Sequence, residues 1–298
     1  MSKELEKILE RLEHILPPPP PATDWNASVA FRWRSAGRRG SGGTGATAGW
    51  LQPVRHVHRI KLSDLRSIDK QIERVEQNAR QFLEGKPANN VLLTGARGTG
   101  KSSIVKGLLH KYAKQGLRLI EVEKNDLVDL PFIVDQVAPR KERFLLFCDD
   151  LSFHGAEEGY IALKVALDGS ISTTSENLLI CATSNRRHLM PEYMNENLET
   201  KYLGDEIHPG ETVEEKISLS ERFGLWVTFY PFDQDEYLQI VEHWLKTLGC
   251  SSHDVHEEAL QWALQRGSRS GRVAYQFARD LAGRRLSGSG AGRHPKKK

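Results

Sequence analysis

Residues 91–103, reading VLLTGARGTGKSS, constrain this chain more than any other stretch. Val91, Leu92, Leu93 and Thr94 are apolar or β-branched and read as a buried strand. The run Gly95-Ala96-Arg97-Gly98-Thr99-Gly100-Lys101-Ser102 then fits the phosphate-loop pattern G-x-x-x-x-G-K-[ST] at every fixed position, between a strand and a helix as that loop requires. Gly95, Gly98 and Gly100 permit backbone conformations that a Cβ forbids, so successive N–H groups can turn toward phosphate oxygens. The amides from Gly95 to Ser103 are the expected cradle. Lys101 is expected at the β- and γ-phosphates, and Ser102 at a Mg²⁺ ion. The helix beginning here aims its positive end at the anion.

Composition excludes several classes. The chain has 298 residues, 27% charged and 39% hydrophobic, which suits one large globular domain or two smaller ones. A formal net charge of +3 gives no bulk argument for nucleic acid. No apolar run reaches the ~18 residues of a membrane span, and the charged start lacks a signal-peptide core. Cys148 and Cys181 lie in apolar runs and Cys250 elsewhere, as expected of reduced thiols in a cytoplasmic protein.

Four regions follow. Residues 1–57 read as an N-terminal helix and a linker. Leu5, Ile8, Leu9, Leu12 and Ile15 form the helix stripe, and the run Pro17 to Pro21 stops it. Beyond it, Trp25, Phe31 and Trp33 alternate with Arg32, Arg34, Arg38 and Arg39 before a glycine-rich stretch. The glycine-rich part is simplest as a flexible linker, and a single-strand nucleic-acid clamp of arginines among aromatics is the lesser reading. His56 and His58 form an isolated pair without the companions of a metal site.

Residues 58–231 alternate strands and helices. The strands are 91–94, 117–122, 144–148, 178–182 and 225–230, and the helices between include 69–83, 101–115, 125–137 interrupted by Pro131, and 159–167. That alternation predicts a parallel five-stranded sheet flanked by helices. Residues 232–284 carry only helical patterns, a small lid, and 285–298 are a basic, glycine-rich tail. The acidic stretch 191–215 is either a solvated loop or a surface for a neighbouring subunit or client. LSGSG at 286–290 matches a transporter signature only by coincidence, since it follows the lid.

The partners of the phosphate loop decide the chemistry. FLLFCDD at 144–150 is an apolar strand ending in two carboxylates. Asp149 is placed to hold Mg²⁺, and Asp150 to polarise an attacking water. Asn185 leaves the fourth strand in the same row of carboxyl-end loops, where an amide can orient water. Arg222, just before the fifth strand, is either an ion-pair residue or an arginine presented to a neighbouring subunit. Arg272 opens the last helix and can fold onto the phosphates or lie on the surface.

This order of loop, paired acids, asparagine, arginine and helical lid resembles the AAA-plus ATPases over about residues 58–283. More narrowly, ANNVLLTGARGTGKSS, FCDDLSF, ALDGS, ATSNRRHL, PEYM, EIHPGE, EEKISLSERFGLW and SGRVAYQFARDL resemble the bacterial ATP-binding family catalogued as domain of unknown function 815. The resemblance implies a P-loop AAA-plus fold, ATP with Mg²⁺, and a homo-oligomeric ring or partial ring. It implies that Lys101, Asp150, Asn185, Arg222 and Arg272 are catalytic. Ser102 and Asp149 are its metal ligands, Asn185 its first sensor, Arg222 its arginine finger and Arg272 its second sensor. The expected activity is ATP hydrolysis that remodels or loads a protein or nucleoprotein partner, with nucleic-acid contact as a lesser expectation and no membrane. One departure bears on rate: the superfamily usually has Glu where Asp150 stands. A carboxylate displaced by about 1 Å can cost on the order of 10²-fold. The alternative is therefore a slow-hydrolysing binding switch resembling helicase loaders. A small-molecule kinase ranks last.

Overall fold

The computed structural model describes residues 21–35, 49–153, 157–168, 176–185, 201–203, 206–208 and 219–288. The expected helix at 3–15, most of the proline run, the glycine-rich stretch before residue 49, most of the acidic stretch 191–215 and the basic tail beyond 288 lie outside the described residues.

The strands, in chain order, are β1 (Ala30–Arg34), β2 (Trp50–Pro53), β3 (Val91–Gly95), β4 (Leu117–Glu121), β5 (Arg143–Cys148), β6 (Leu178–Ser184), β7 (Lys201–Leu203), β8 (Glu206–His208) and β9 (Leu225–Phe229). The helices are α1 (Asp69–Leu83), α2 (Lys101–Tyr112), α3 (Leu130–Val137), α4 (Glu158–Asp168), α5 (Gln234–Thr247), α6 (His256–Gln265) and α7 (Gly271–Gly288). One sheet runs β2-β1-β4-β5-β6-β3-β9, and β7 pairs with β8 separately. Its five central strands are those the sequence predicts and they are parallel.

The sheet has seven strands, which corrects the expectation of five. Both additions come from the stretch read as linker. β1 pairs parallel with β4, and β2 pairs antiparallel with β1. Strand alternation explains this. Phe31 and Trp33 face inward and are fully buried, while Arg32 faces out and binds Glu121 at 2.6 Å. The aromatic part of the nucleic-acid clamp is thereby contradicted: Trp33 Nε1 donates to Asp129 at 2.9 Å, and Trp25 packs on Phe31 and Phe144, while Arg38 and Arg39 lie outside the described residues. None of these rings is presented for base stacking.

Pro131 also differs from expectation. A 3₁₀ segment, Lys124–Asp129, precedes it, and the proline sits in the first turn of α3, where a missing N–H leaves no bond unmade. Gly116 caps the end of the α2 segment with φ +95°, as its position predicts.

Two cores cover the two faces of the sheet. One joins α1, α2 and the C-terminal helices α5–α7 through Val75, Ile104, Leu108, Tyr237 and Phe277. The other joins α3 and α4 through Ile133, Phe144, Leu146 and Leu163. β3 lies between β6 and β9. The chain therefore reverses direction across the sheet beside β3, the position where open α/β sheets hold ligands at their carboxyl ends.

Candidate phosphate-binding site

Parallel register gathers the site. β3 pairs with β6 up to Thr94–Ser184 and with β9 up to Gly95–Phe229, and β5 pairs with β6 up to Cys148–Ala182. The phosphate loop, Asp149 and Asn185 therefore leave neighbouring strands about 5 Å apart, at one edge.

The loop is closely packed. Gly95 has φ +119°, and a Cβ there would lie 1.9 Å from the Phe229 carbonyl oxygen. Only glycine lets the loop leave β3 against β9. Ala96 N donates to that same oxygen at 3.1 Å, and Thr99 Oγ1 donates to Ala96 O at 2.8 Å. Arg97 is exposed, and Ser103 is half-buried on the first turn of α2. Gly98 has φ +73°, and a Cβ there would sit 2.8 Å from Ser270 Oγ and 3.4 Å from Arg272 Cβ. The start of α7 thus closes over the loop. Ser270 is buried and caps that helix, accepting from Val273 N at 3.3 Å.

Lys101 is 6% exposed. Its Nζ donates to Gly95 O at 2.8 Å, Ala96 O at 2.7 Å and Asn185 Oδ1 at 3.1 Å. Burial pulls its pKa below the usual lysine value. Asp149 and Asp150 oppose that shift, and the like charges of Arg97 and Arg272 add to it. Five charged side chains from three parts of the chain thus act on one another here.

Asp149 is the hub of the acids. Its Oδ1 accepts from Ser102 Oγ at 2.6 Å and from Thr183 Oγ1 at 2.6 Å. Asp150 takes the left-handed region at φ +54°, which aspartate tolerates better than most residues. That turn sends Leu151 N back to Thr183 O at 2.7 Å and leaves the Asp150 carboxylate accepting from Asn185 Nδ2. Asn185 therefore bridges Lys101 and Asp150. Arg222 is engaged elsewhere: its Nε donates to Asp168 Oδ1 at the end of α4.

Thr183 is the residue sequence reasoning missed. It is 1% exposed, and its hydroxyl both donates to Asp149 and accepts from Asp150 N at 2.9 Å. A signal existed: a buried hydroxyl two residues before Asn185, on the strand beside the paired acids. Burial pushes the Cys148 and Cys181 thiols up to about 12, which disfavours the thiolate.

The residues present fit a metal-bound polyphosphate. Ser102 and Asp149 offer only oxygen, the ligand type a hard divalent cation takes, and Lys101 Nζ lies at the glycine loop.

Together, the sheet order, the phosphate loop at the end of β3 and the paired acids after β5 define a P-loop α/β protein with the AAA-plus fold. The chain belongs to the family described as "Protein of unknown function (DUF815)", which matches residues 26–285. Among solved structures it is similar to the ORC1 protein of Aeropyrum pernix in complex with DNA, at 15% identity and TM-score 0.51, over 74% of this chain and 61% of that one. It is similar to the RuvB Holliday junction branch migration motor of Thermotoga maritima at 14% identity and TM-score 0.47, over 75% and 64%. Trip13, in the HORMA:CdnC:Trip13 complex of E. coli MS115-1, matches at 13% identity and TM-score 0.48, over 74% and 90%. This chain spans less than two thirds of the RuvB and ORC1 chains, and at these identities the likeness extends to the fold alone. No curated protein matches it. No helix among the described residues is long and apolar enough to cross a membrane.

Proposed function

We propose that the chain binds ATP with Mg²⁺ at the loop and hydrolyses it, as a ring or partial ring, to remodel or load a protein or nucleoprotein partner. One observation carries the reading: Asn185 ties Lys101 of the phosphate loop to Asp150 of the acid pair. A nucleotide-binding turn with no catalytic task needs no such link between lysine and carboxylate.

In this reading the loop amides and Lys101 hold the phosphates, and Ser102 and Asp149 hold the metal. Mg²⁺, when bound, neutralises charge that builds on the phosphate oxygens. Thr183 fixes the Asp149 carboxylate and the Asp150 backbone. Asp150 accepts a proton from water, and Asn185 orients Asp150 toward that water. Arg272, at the start of α7, reports nucleotide occupancy to the lid. Arg222 exchanges its Asp168 partner for a neighbouring subunit's nucleotide, a role worth ~10³–10⁵ in rate.

A second reading, a slow nucleotide switch that loads a partner, draws on Asp150. Its side chain is one methylene shorter than the usual Glu and already accepts the Asn185 amide. Phosphate release from Mg–ATP, measured across protein concentrations, tests both. The first reading expects turnover per subunit to rise with concentration and to vanish in Asp149→Asn. It also expects Arg222→Ala to lose turnover while keeping ATP binding. Saturable binding with negligible release at every concentration supports the switch. Release unchanged in Asp149→Asn refutes both.

A further inference from the structure

The connection after β2 gathers basic side chains that the phosphate loop does not use. Val54 and Val57 pack against the core below it, which leaves Arg55, His56, His58 and Arg59 exposed. The wall is fixed: Ser28 Oγ donates to Val54 O at 2.8 Å, and Val54 N donates to Ala30 O at 2.9 Å. The fold then brings His110, from the last turn of α2, to the same place. These side chains line a cavity of about 460 Å³ whose lining contains no Asp or Glu.

Among the described residues, none of these five side chains has a hydrogen bond, ion pair or ring contact. Arg32, Arg140 and Arg284, by contrast, each bind a carboxylate. The carbonyl end of α2 explains a histidine at position 110, since basic groups favour that end. It does not explain the four residues on the connection. Nor do the histidines form a metal site: among the described residues no three His, Cys, Asp or Glu side chains stand together as ligands. Two guanidinium forks and imidazole N–H donors on a fixed wall suit a phosphate group, whose oxygens accept several charge-assisted bonds at once.

We propose that this cavity is a second anion site that takes a phosphate group, carried either on a nucleic-acid strand or on a small phosphorylated molecule. It is separate from the nucleotide site. His110 and Lys101 lie nine residues apart on α2, about 14 Å at 1.5 Å per residue.

The full chain tests this at low salt with two probes: a short fluorescent single strand read by anisotropy, and inorganic pyrophosphate read by calorimetry. The variants are Arg55→Glu/Arg59→Glu, the milder Arg55→Gln/Arg59→Gln, and Lys101→Ala. The proposal expects saturable binding of at least one probe, weakened about tenfold or more by either arginine pair and retained by Lys101→Ala. Binding of the strand alone names a nucleic acid as the source, and binding of pyrophosphate names a small phosphorylated ligand. No saturable binding of either probe overturns the proposal. So does binding that the arginine pairs leave unchanged, or binding lost only in Lys101→Ala.

Discussion

Replacing Thr183 by valine keeps its shape and removes one hydroxyl, so the loss can be worked from two bonds. The hydroxyl donates to the Asp149 carboxylate at 2.6 Å and accepts from Asp150 N at 2.9 Å. A bond to a charged group contributes about 1.5–3 kcal/mol and a neutral one about 0.5–1.5 kcal/mol. Asp149 is exposed, so water replaces part of the first, and the net cost falls near the low end, about 2 kcal/mol. In a domain of this size that lowers the melting temperature by about 4–8 °C. The acids also lose their common anchor. A carboxylate that drifts by about 1 Å costs on the order of 10² in turnover. Thermal unfolding and phosphate release, measured side by side on Thr183→Val and Thr183→Ser, separate the two effects. Serine keeps the hydroxyl and is expected to restore turnover while losing the methyl packing. If valine matches the native protein in both assays, or serine is as damaged in turnover as valine, the reasoning about Thr183 is wrong.

Asp150→Glu returns the missing methylene and is expected to raise turnover by up to about 10²-fold if reach limits the rate; a fall in the same phosphate-release assay assigns Asp150 a different geometry. At the α1–α2 contact, burial raises the Glu76 pKa, but hydrogen bonds from Lys111 and Tyr112 outweigh it and hold the carboxyl below its ordinary 4.5. A lowered folded value means that this stabilisation is complete above pH 4.5 and fades as pH falls through the folded value. Glu76→Gln is therefore expected to cost about 1 kcal/mol at neutral pH, with the gap to the native protein closing in acid. Urea unfolding at several pH values checks this, and a gap that widens in acid contradicts the sign.

Much of the candidate phosphate-binding site is legible in the sequence because it is local. The phosphate loop, the apolar strand ending in Asp149 and Asp150, and the helix start at Lys101 each lie within a single continuous motif. The presence and parallel pairing of the five central strands follow from the alternation of strand and helix, but their order in the sheet does not. What escapes is non-local or short. β1 is a five-residue strand with two arginines, and its strand character rests on Glu121, which β4 supplies from far along the chain. Thr183 matters only because β6 lies beside β5 in that register. The contact between Gly98 and the start of α7 joins residues on either side of most of the fold. The histidine pair at 56 and 58 gains meaning only when α2 adds His110.

Everything rests on a polyphosphate entering the loop at the end of β3. Titrating the full chain with a fluorescent ATP analogue and Mg²⁺, for the native protein and for Lys101→Ala, tests this most directly. The account predicts saturable binding to the native protein, weakened at least tenfold when the buried lysine's ammonium is removed, a loss of about 1.4 kcal/mol or more. No saturable binding to the native protein, or equal affinity in the two, would contradict it.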